Sequence, residues 1–423
     1  MRWPARVPNV SERRIVSQAW YERLRPRLAR GHQVELLEGG AEYFPALERE
    51  LDAARDSVFV ETYIFEPEAS GSLIAEAFAR AAARGVRVHL VVDGYGTARR
   101  DGPAWQRMRE AGVRIEVFRP ERSRFEFSRR RLRRLHRKLA VVDGAVAFVG
   151  GVNLLDDLFD PNHGRLDSPR LDFAVRVRGP LVAQVHVAAQ RLWWELSVVN
   201  RSLGRAPAAQ DGGGRAAAPP ERVDSDVTHA GAVRAALLLR DNFRHRRTIE
   251  RAYLRALGRA RREVLIASAY FFPGARFRRA LLAAVRRGVR VRLLLQGKIE
   301  YRLPYYAAQA FYDELLRAGV EIVEYRRSFL HAKVAVIDDW VTVGSSNIDP
   351  FSLLLGREAN VAVIDPGLAG RLRERLERAI EEGGSPVAIQ HHARRPWHVR
   401  LMNRFSYAML RLGVAISGQA ARY

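Results

Sequence analysis

An α/β fold of two similar domains, each a mixed β-sheet flanked by helices, is predicted by three observations. The chain carries an internal duplication at a separation of about 200 residues, apolar strand-like runs alternate with helical patterns through both halves, and one chemically loaded motif occurs once per half. A repeat of that length is too long for a solenoid. It implies two domains related by a pseudo-two-fold axis, with the active site between them.

Taken in order, residues 1–30 are expected to form an N-terminal helical segment, and residues 31–203 the first domain. Within it, Ser57 to Phe65 reads as an apolar strand, and Ala77 to Asp93 as a helix ended by Arg-Gly before a β-branched strand. Residues 204–222 are rich in Gly, Ala and Pro without periodicity, the composition of a flexible linker. The second domain, 223–385, repeats the pattern: Glu263 to Phe271 is the strand, and Leu281 to Gln296 the helix, Arg-Gly and strand. Residues 386–423 form a basic tail. There Leu401, Phe405, Ala408, Leu412 and Ile416 recur at helical spacing beside Trp397, Met402 and Met409, with Arg400, Arg404 and Arg411 interleaved. Such a helix suits an anionic membrane surface, and its competing reading is a helix docked on the protein's own core.

Nearly half of the 423 residues are apolar, which excludes a disordered scaffold, and a formal charge of +24 points to polyanionic partners, nucleic acid or anionic lipid. The absence of Cys removes disulfides, thiolate metal sites and Cys nucleophiles together. Met1 to Arg14 lacks the apolar core of a secretory signal, and no run reaches the roughly 18 apolar residues of a spanning helix. A membrane-bound form would therefore lie on the bilayer.

The repeated motif is His-x-Lys-x4-Asp: His136, Lys138 and Asp143, then His331, Lys333 and Asp338. Lysine is rare here, occurring only at Lys138, Lys298 and Lys333, so two of three fall in the motifs. Read as strands, Leu135 to Asp143 and Leu330 to Asp338 would point His and Lys to one face. After each comes a small-residue turn, Gly150-Gly151 with Asn153 and Gly344-Ser345-Ser346 with Asn347, where backbone amides and the Asn can approach a phosphate. The chemistry suggested is two-step displacement at phosphorus. One neutral His attacks to form a phosphohistidine, while the other protonates the departing alcohol and later deprotonates the incoming one. Two lysines and two asparagines would stabilise the equatorial oxygens, so neither metal nor cofactor is required. Each His needs a carboxylate to set its tautomer, and Asp172 and Glu358 are the candidates. Asp143 and Asp338 belong to the motif and so to the catalytic set, yet their odd offset from Lys places them on the opposite strand face. They are expected to hold the turn. The second hairpin is one residue shorter, with five residues between Asp338 and Gly344 against six between Asp143 and Gly150.

Plainer readings apply elsewhere. Gly94-Tyr95-Gly96 lacks the rest of a dinucleotide fingerprint and reads as a turn, and His391-His392 is too slight for a metal site. The run Arg129 to Arg134 is either a solvated loop or a contact for a headgroup or phosphodiester.

With these residues the chain resembles the phospholipase D superfamily, in particular its bacterial cardiolipin synthase B group, over roughly Gly31 to Glu382. The resemblance is carried by stretches such as ETYIF from Glu61, LDFAVRVRGP from Leu171, ASAYFFPG from Ala267 and LHAKVAVIDD with GSSNIDPFSLLLGREANV. It implies a peripheral phosphatidyltransferase on the cytoplasmic side of the cell membrane. This enzyme would join a phosphatidyl group, from phosphatidylglycerol or phosphatidylethanolamine, to phosphatidylglycerol and form cardiolipin, with no obligate nucleic acid. It further implies His136 as nucleophile and His331 as acid/base, with Lys138, Asn153, Lys333 and Asn347 on the phosphate and Ser345 close by. A phosphodiesterase or nuclease using water as acceptor fits the same motifs. The chain departs from the family pattern in carrying Asp172 where a Glu is expected, after an extra loop around Leu158 to Arg170.

Overall fold

The computed structural model describes residues 26–68, 71–97, 99–120, 133–160, 163–202, 230–241, 245–349, 356–390 and 395–416. The expected linker at 204–222, His391-His392 and most of the expected N-terminal helix lie outside the described residues. Residues 29 and 30 already belong to β1 (Ala29–Glu38), so that part of the N-terminal segment is strand and not helix.

The first half runs β1, α1 (Gly39–Ala53), β2 (Ser57–Thr62), α2 (Ser72–Ala83), β3 (Arg87–Asp93), α3 (Pro103–Glu110), β4 (Arg114–Phe118), β5 (Lys138–Val142) and β6 (Val146–Gly150). A small hairpin, β7 (Phe159–Asp160) and β8 (Gly164–Arg165), precedes β9 (Phe173–Arg178) and α4 (Leu181–Ser202). The second half repeats this as β10 (Val233–Arg240), α5 (Thr248–Arg259), β11 (Glu263–Ser268), α6 (Ala275–Arg286), β12 (Arg290–Gln296), α7 (Arg302–Gln309) and α8 (Tyr312–Arg317). It continues with β13 (Glu321–Tyr325), β14 (Lys333–Ile337), β15 (Trp340–Gly344), β16 (Glu358–Ile364), α9 (Pro366–Gly383) and β17 (Gly384–Pro386), and α10 (Trp397–Ile416) closes the described chain.

Strand order makes the duplication explicit. The first half reads β1-β9-β6-β5-β2-β3-β4 and the second β10-β16-β15-β14-β11-β12-β13, with β17 added at the edge. In each, three strands pair in parallel and the rest antiparallel, the mixed sheet the sequence predicts. The Arg-Gly helix ends behave as read: Gly85 and Gly288 take φ of 89° and 83°, a left-handed turn that costs glycine little and other residues more.

Helices flank each sheet unequally. On the outer face α1, α2 and α3 cover the first sheet, while α5 to α8 cover the second, as the alternating apolar residues of each strand demand. The inner faces meet each other. Val149, Val175 and Val177 of the first half share one apolar layer with Val341, Val343 and Val361 of the second, and α4 and α9 complete it. Strands buried on both sides read as continuous apolar runs, and β5, β6 and β14 do. This shared layer brings the starts of β5 and β14 together.

Candidate active site

Each motif histidine stands just outside its strand. β5 begins at Lys138 and β14 at Lys333, so the expected strand alternation does not position His136 or His331. Cross-domain bridges do. Leu135 bridges Arg357, with the His136 amide donating to the Arg357 carbonyl at 3.0 Å; Leu171 bridges Leu330, with the His331 amide donating to the Leu171 carbonyl at 2.9 Å. The residue after each bridge partner is the carboxylate. His136 Nδ1 therefore lies 3.0 Å from Glu358 Oε2, and His331 Nδ1 lies 2.6 Å from Asp172 Oδ2. Both candidate carboxylates pair with a motif histidine, each with the histidine of the other half. Bonded through Nδ1, both rings carry Nε2 as their reacting nitrogen.

The lysines lie fully within the protein, and each bonds back to the carbonyl of its own motif histidine, Lys138 to His136 at 3.0 Å and Lys333 to His331. Burial and mutual repulsion pull Lys138 down to about 7; burial pulls Lys333 to about 8 against the attraction of Asp172. The two buried lysines repel each other, and the negative charge of a phosphate diester would offset that repulsion. Burial also lowers both histidines, His331 well below its ordinary range, with Lys333 and Lys138 adding to the effect. The carboxylates diverge. Burial raises Asp172 to about 6, whereas Glu358 ends below the usual range because His136, Lys138 and the Ser345 hydroxyl, 2.5 Å away, outweigh its burial.

Asn153 and Asn347 occupy equivalent places. Their Oδ1 atoms accept from the amides of Ile64 and Tyr270, at 3.2 and 3.3 Å, so either side chain can serve a phosphate only as a donor. The small residues ahead of them have a packing reason. A Cβ on Gly150 would stand 2.5 Å from Ala174, and one on Gly344 2.3 Å from Asn360. The shorter second hairpin is absorbed in its turn: Val142 pairs Val146 across three residues and Ile337 pairs Trp340 across two, leaving Lys138 opposite Gly150 and Val334 opposite Val343.

Asp143 and Asp338 are the correction to the motif-wide catalytic set. They stand at the far ends of β5 and β14, about 16 Å along the strand from each lysine. Asp143 accepts from the amides of Arg55, Asp56 and Ser57, and Asp338 from those of Arg261, Arg262 and Glu263. Both take left-handed φ, 51° and 53°, which these hydrogen bonds hold in place. They anchor the turn, as their odd offset predicts. Gly94-Tyr95-Gly96 is likewise a turn, its amides at 95 and 96 bonded to Asp93.

The histidines open into a cavity of about 760 Å³. Among its described lining, Glu66, Glu300, Asp157, Asp160 and others make seven carboxylates against two arginines, Arg99 and Arg170, in a chain that is strongly basic overall. Arg170 bonds Asp160 and the carbonyl of Asp156, closing the extra loop of the first half over the cavity. Tyr63 packs against His136 with ring centroids 5.2 Å apart and places its face 5.4 Å from Lys138 Nζ. Glu300, bonded to the Tyr270 hydroxyl at 2.7 Å, enters from the second half. Sequence reasoning passed over Tyr63, Glu300 and Arg170. The first lies inside a quoted stretch, but Glu300 and Arg170 sit on unrepeated loops that carry no motif.

The family profile described as "Cardiolipin synthase, PLD-like domain" matches residues 47–166 and 253–380. Cardiolipin synthase B of Escherichia coli is 36% identical over 403 residues, covering 92% of this chain and 90% of that protein. Cardiolipin synthase A of Pseudomonas putida is 31% identical over 366 residues, covering 85% and 72%. Among solved structures, phosphatidylserine synthase of Haemophilus influenzae superposes with a TM-score of 0.65 at 13% identity, covering 96% of this chain and 99% of that one. Two profile matches, one per half, and relatives aligned along nearly the whole length place the chain in the family of phospholipase D-like cardiolipin synthases.

Proposed function

We propose that the protein is a cardiolipin synthase that transfers a phosphatidyl group to the glycerol hydroxyl of phosphatidylglycerol through a phosphohistidine. The observation that supports this best is the pair of crossed His–carboxylate contacts, His136–Glu358 and His331–Asp172, facing one cavity between two buried lysines. In this reading His136 Nε2 attacks phosphorus and His331 protonates the departing alkoxide. The P–O bond to the leaving alcohol breaks as the P–N bond forms. Glu358, held anionic, stabilises the cationic ring of the intermediate, and Lys138, Lys333, Asn153 and Asn347 receive the equatorial charge. His331 then takes the proton of the incoming hydroxyl as its oxygen displaces His136.

The division of roles draws support from the cavity. Arg170 lies close to His331 and Glu300 close to Lys333, so alcohols bound there would meet His331, which holds its proton only once the negative charge of a bound phosphate offsets the cations that depress it. Carboxylates accept hydrogen bonds from hydroxyls and repel phosphates. The acidic wall therefore suits a glycerol headgroup lying inward with its own phosphate nearer the mouth.

The test is incubation of purified protein with phosphatidylglycerol vesicles, with and without phosphatidylethanolamine and with and without a chelator, followed by lipid mass spectrometry. Cardiolipin formed in the presence of chelator is the expected result. Phosphatidic acid as the sole product would make water the acceptor, and cleavage of oligonucleotides with no lipid turnover would make the protein a nuclease.

A further inference from the structure

The tail helix α10 docks on the protein yet leaves most of its large apolar side chains facing outward. It packs along α7 through Asn403, Ser406 and Leu410, all buried, and Tyr407 stacks on Phe272 at 5.4 Å and meets Phe311 edge-on at 5.3 Å. Two of its three most buried residues are thus polar. The outward side holds Trp397 (73% exposed), Leu401 (57%), Met402 (48%), Phe405 (57%), Met409 (43%) and Leu412 (52%). At about 100° per residue these six fall within an arc of roughly 140°, while the docked residues occupy the arc behind them. Arg400, Arg404 and Arg411 form a separate stripe along one flank, and no acidic residue occurs from Trp397 to Ile416. Of the two sequence readings of the tail, the structure bears out docking on the protein, through Asn403, Ser406, Tyr407 and Leu410, while most of the large apolar side chains stay outward.

An apolar arc of this size left to water is expensive unless something covers it. The flanking arginines choose the cover. A second protein core offers no compensation for three unpaired-sign cations in a row, whereas an anionic lipid surface offers apolar acyl chains and negative headgroups at the depths where the arc and the stripe lie. Helix α10 does not cross the bilayer, for no helix among the described residues is long and apolar enough to do so.

The position of α10 gives this surface a purpose. Its docking partner α7 starts one residue after Tyr301, which lines the catalytic cavity, and Tyr301 and its chain neighbours Ile299 and Leu303 are all exposed. We infer that the outward face of α10 and the apolar residues at the start of α7 form one surface that seats the protein on an anionic bilayer with the cavity mouth at the interface. Headgroups can then reach the two histidines while their acyl chains stay in the membrane. The inference rests on the proposed action on membrane lipids.

The experiment is co-sedimentation with vesicles of phosphatidylglycerol in phosphatidylcholine, comparing the native chain with Phe405→Glu/Leu412→Glu and with Val199→Glu, an exposed position on α4 on the inner side of the sheets. The double variant is expected to bind at least about tenfold more weakly and the α4 variant to bind like the native chain. Arg400→Gln/Arg404→Gln/Arg411→Gln is expected to lose its preference for vesicles containing phosphatidylglycerol over pure phosphatidylcholine. Phosphatidylglycerol brominated in its acyl chains should quench the native fluorescence more than that of Trp397→Phe, a substitution at an exposed site that leaves folding alone. Native-like vesicle binding by the double variant, or equal quenching with and without Trp397, overturns the inference. So does a dimer that Phe405→Glu dissociates while vesicle binding persists, since the arc would then cover a second copy. Cardiolipin formation by the same variants in detergent micelles separates the two readings: turnover there with vesicle binding lost upholds both, whereas normal vesicle binding without any lipid turnover by the native chain sinks the proposed function alone.

Discussion

In one half of the site Glu358 meets His136 with the Ser345 hydroxyl behind it; in the other, Asp172 meets His331 with Gly151 in the place of the serine. The backbones correspond closely. The Gly151 amide donates to the Phe173 carbonyl as the Ser345 amide donates to that of Ala359. Yet a Cβ on Gly151 would stand 2.2 Å from Asp172 Oδ1, so the shorter carboxylate occupies the space that a serine side chain would need. Glu358 is thereby held as an anion, whereas Asp172 is raised to about 6 by burial. Duplication preserved the slots, and divergence of two residues per slot separated their electrostatics. Two chemically unlike histidine pairs are what a reaction with distinct nucleophile and acid/base roles requires.

The largest test of that comparison is removal of the rings. His136→Ala and His331→Ala should each lower turnover by about 10⁴-fold or more, because the two act as a unit. With a donor carrying a good leaving group, label should be trapped on His331→Ala and not on His136→Ala. The opposite pattern would exchange the roles of the two halves.

Next come the carboxylates. Glu358→Gln and Asp172→Asn should each cost about 10²- to 10⁴-fold in turnover with the fold intact, since the ring loses the partner that sets its tautomer. A larger loss for Glu358→Gln is expected, because Glu358 is held below the usual carboxylate range by His136, Lys138 and Ser345 whereas burial raises Asp172; equal losses would mean that the electrostatic difference has no catalytic consequence.

The residues behind the carboxylates should rank below them. Gly151→Ala should reduce turnover about 100-fold by displacing Asp172, since misplacement on the ångström scale carries that penalty. Ser345→Ala removes one hydrogen bond to a charged group and should cost about tenfold. If Ser345→Ala is the more damaging, the close approach of Gly151 and Asp172 has little bearing on catalysis.

The smallest effect is on stability against pH. Lys138 and Lys333 fall from 10.5 to about 7 and about 8, so above those values the unfolded chain binds more protons than the folded one. Stability contributed by this pair should therefore rise with pH from about 7 to 10.5. Asp172, raised from 3.8 to about 6, keeps its proton longer when folded, so its contribution should fall as pH rises across that interval. Melting temperatures across both windows should show the alkaline rise flattened in Lys138→Met and Lys333→Met and the acidic fall flattened in Asp172→Asn. An unaltered alkaline rise in both lysine variants would show that the buried cations are not the titrating groups.

What the sequence determined by itself was local or repeated. Val- and Leu-rich runs, Arg-Gly helix ends and two copies of one motif make the α/β class, the duplication and the identity of the histidines and lysines legible, because period and turn chemistry act over a few residues. The odd offset even announced that Asp143 and Asp338 hold turns. Tertiary structure alone decided which carboxylate serves which histidine. That depends on bridges between Leu135 and Arg357 and between Leu171 and Leu330, residues more than 150 positions apart that meet only across the two halves. It also decided that Glu300, Arg170 and Tyr63 line the cavity, and which side of α10 docks. An amphipathic pattern states that a helix has two faces, but only the shape and chemistry of what it meets, here α7 and the ring of Phe272, settle which one is turned inward.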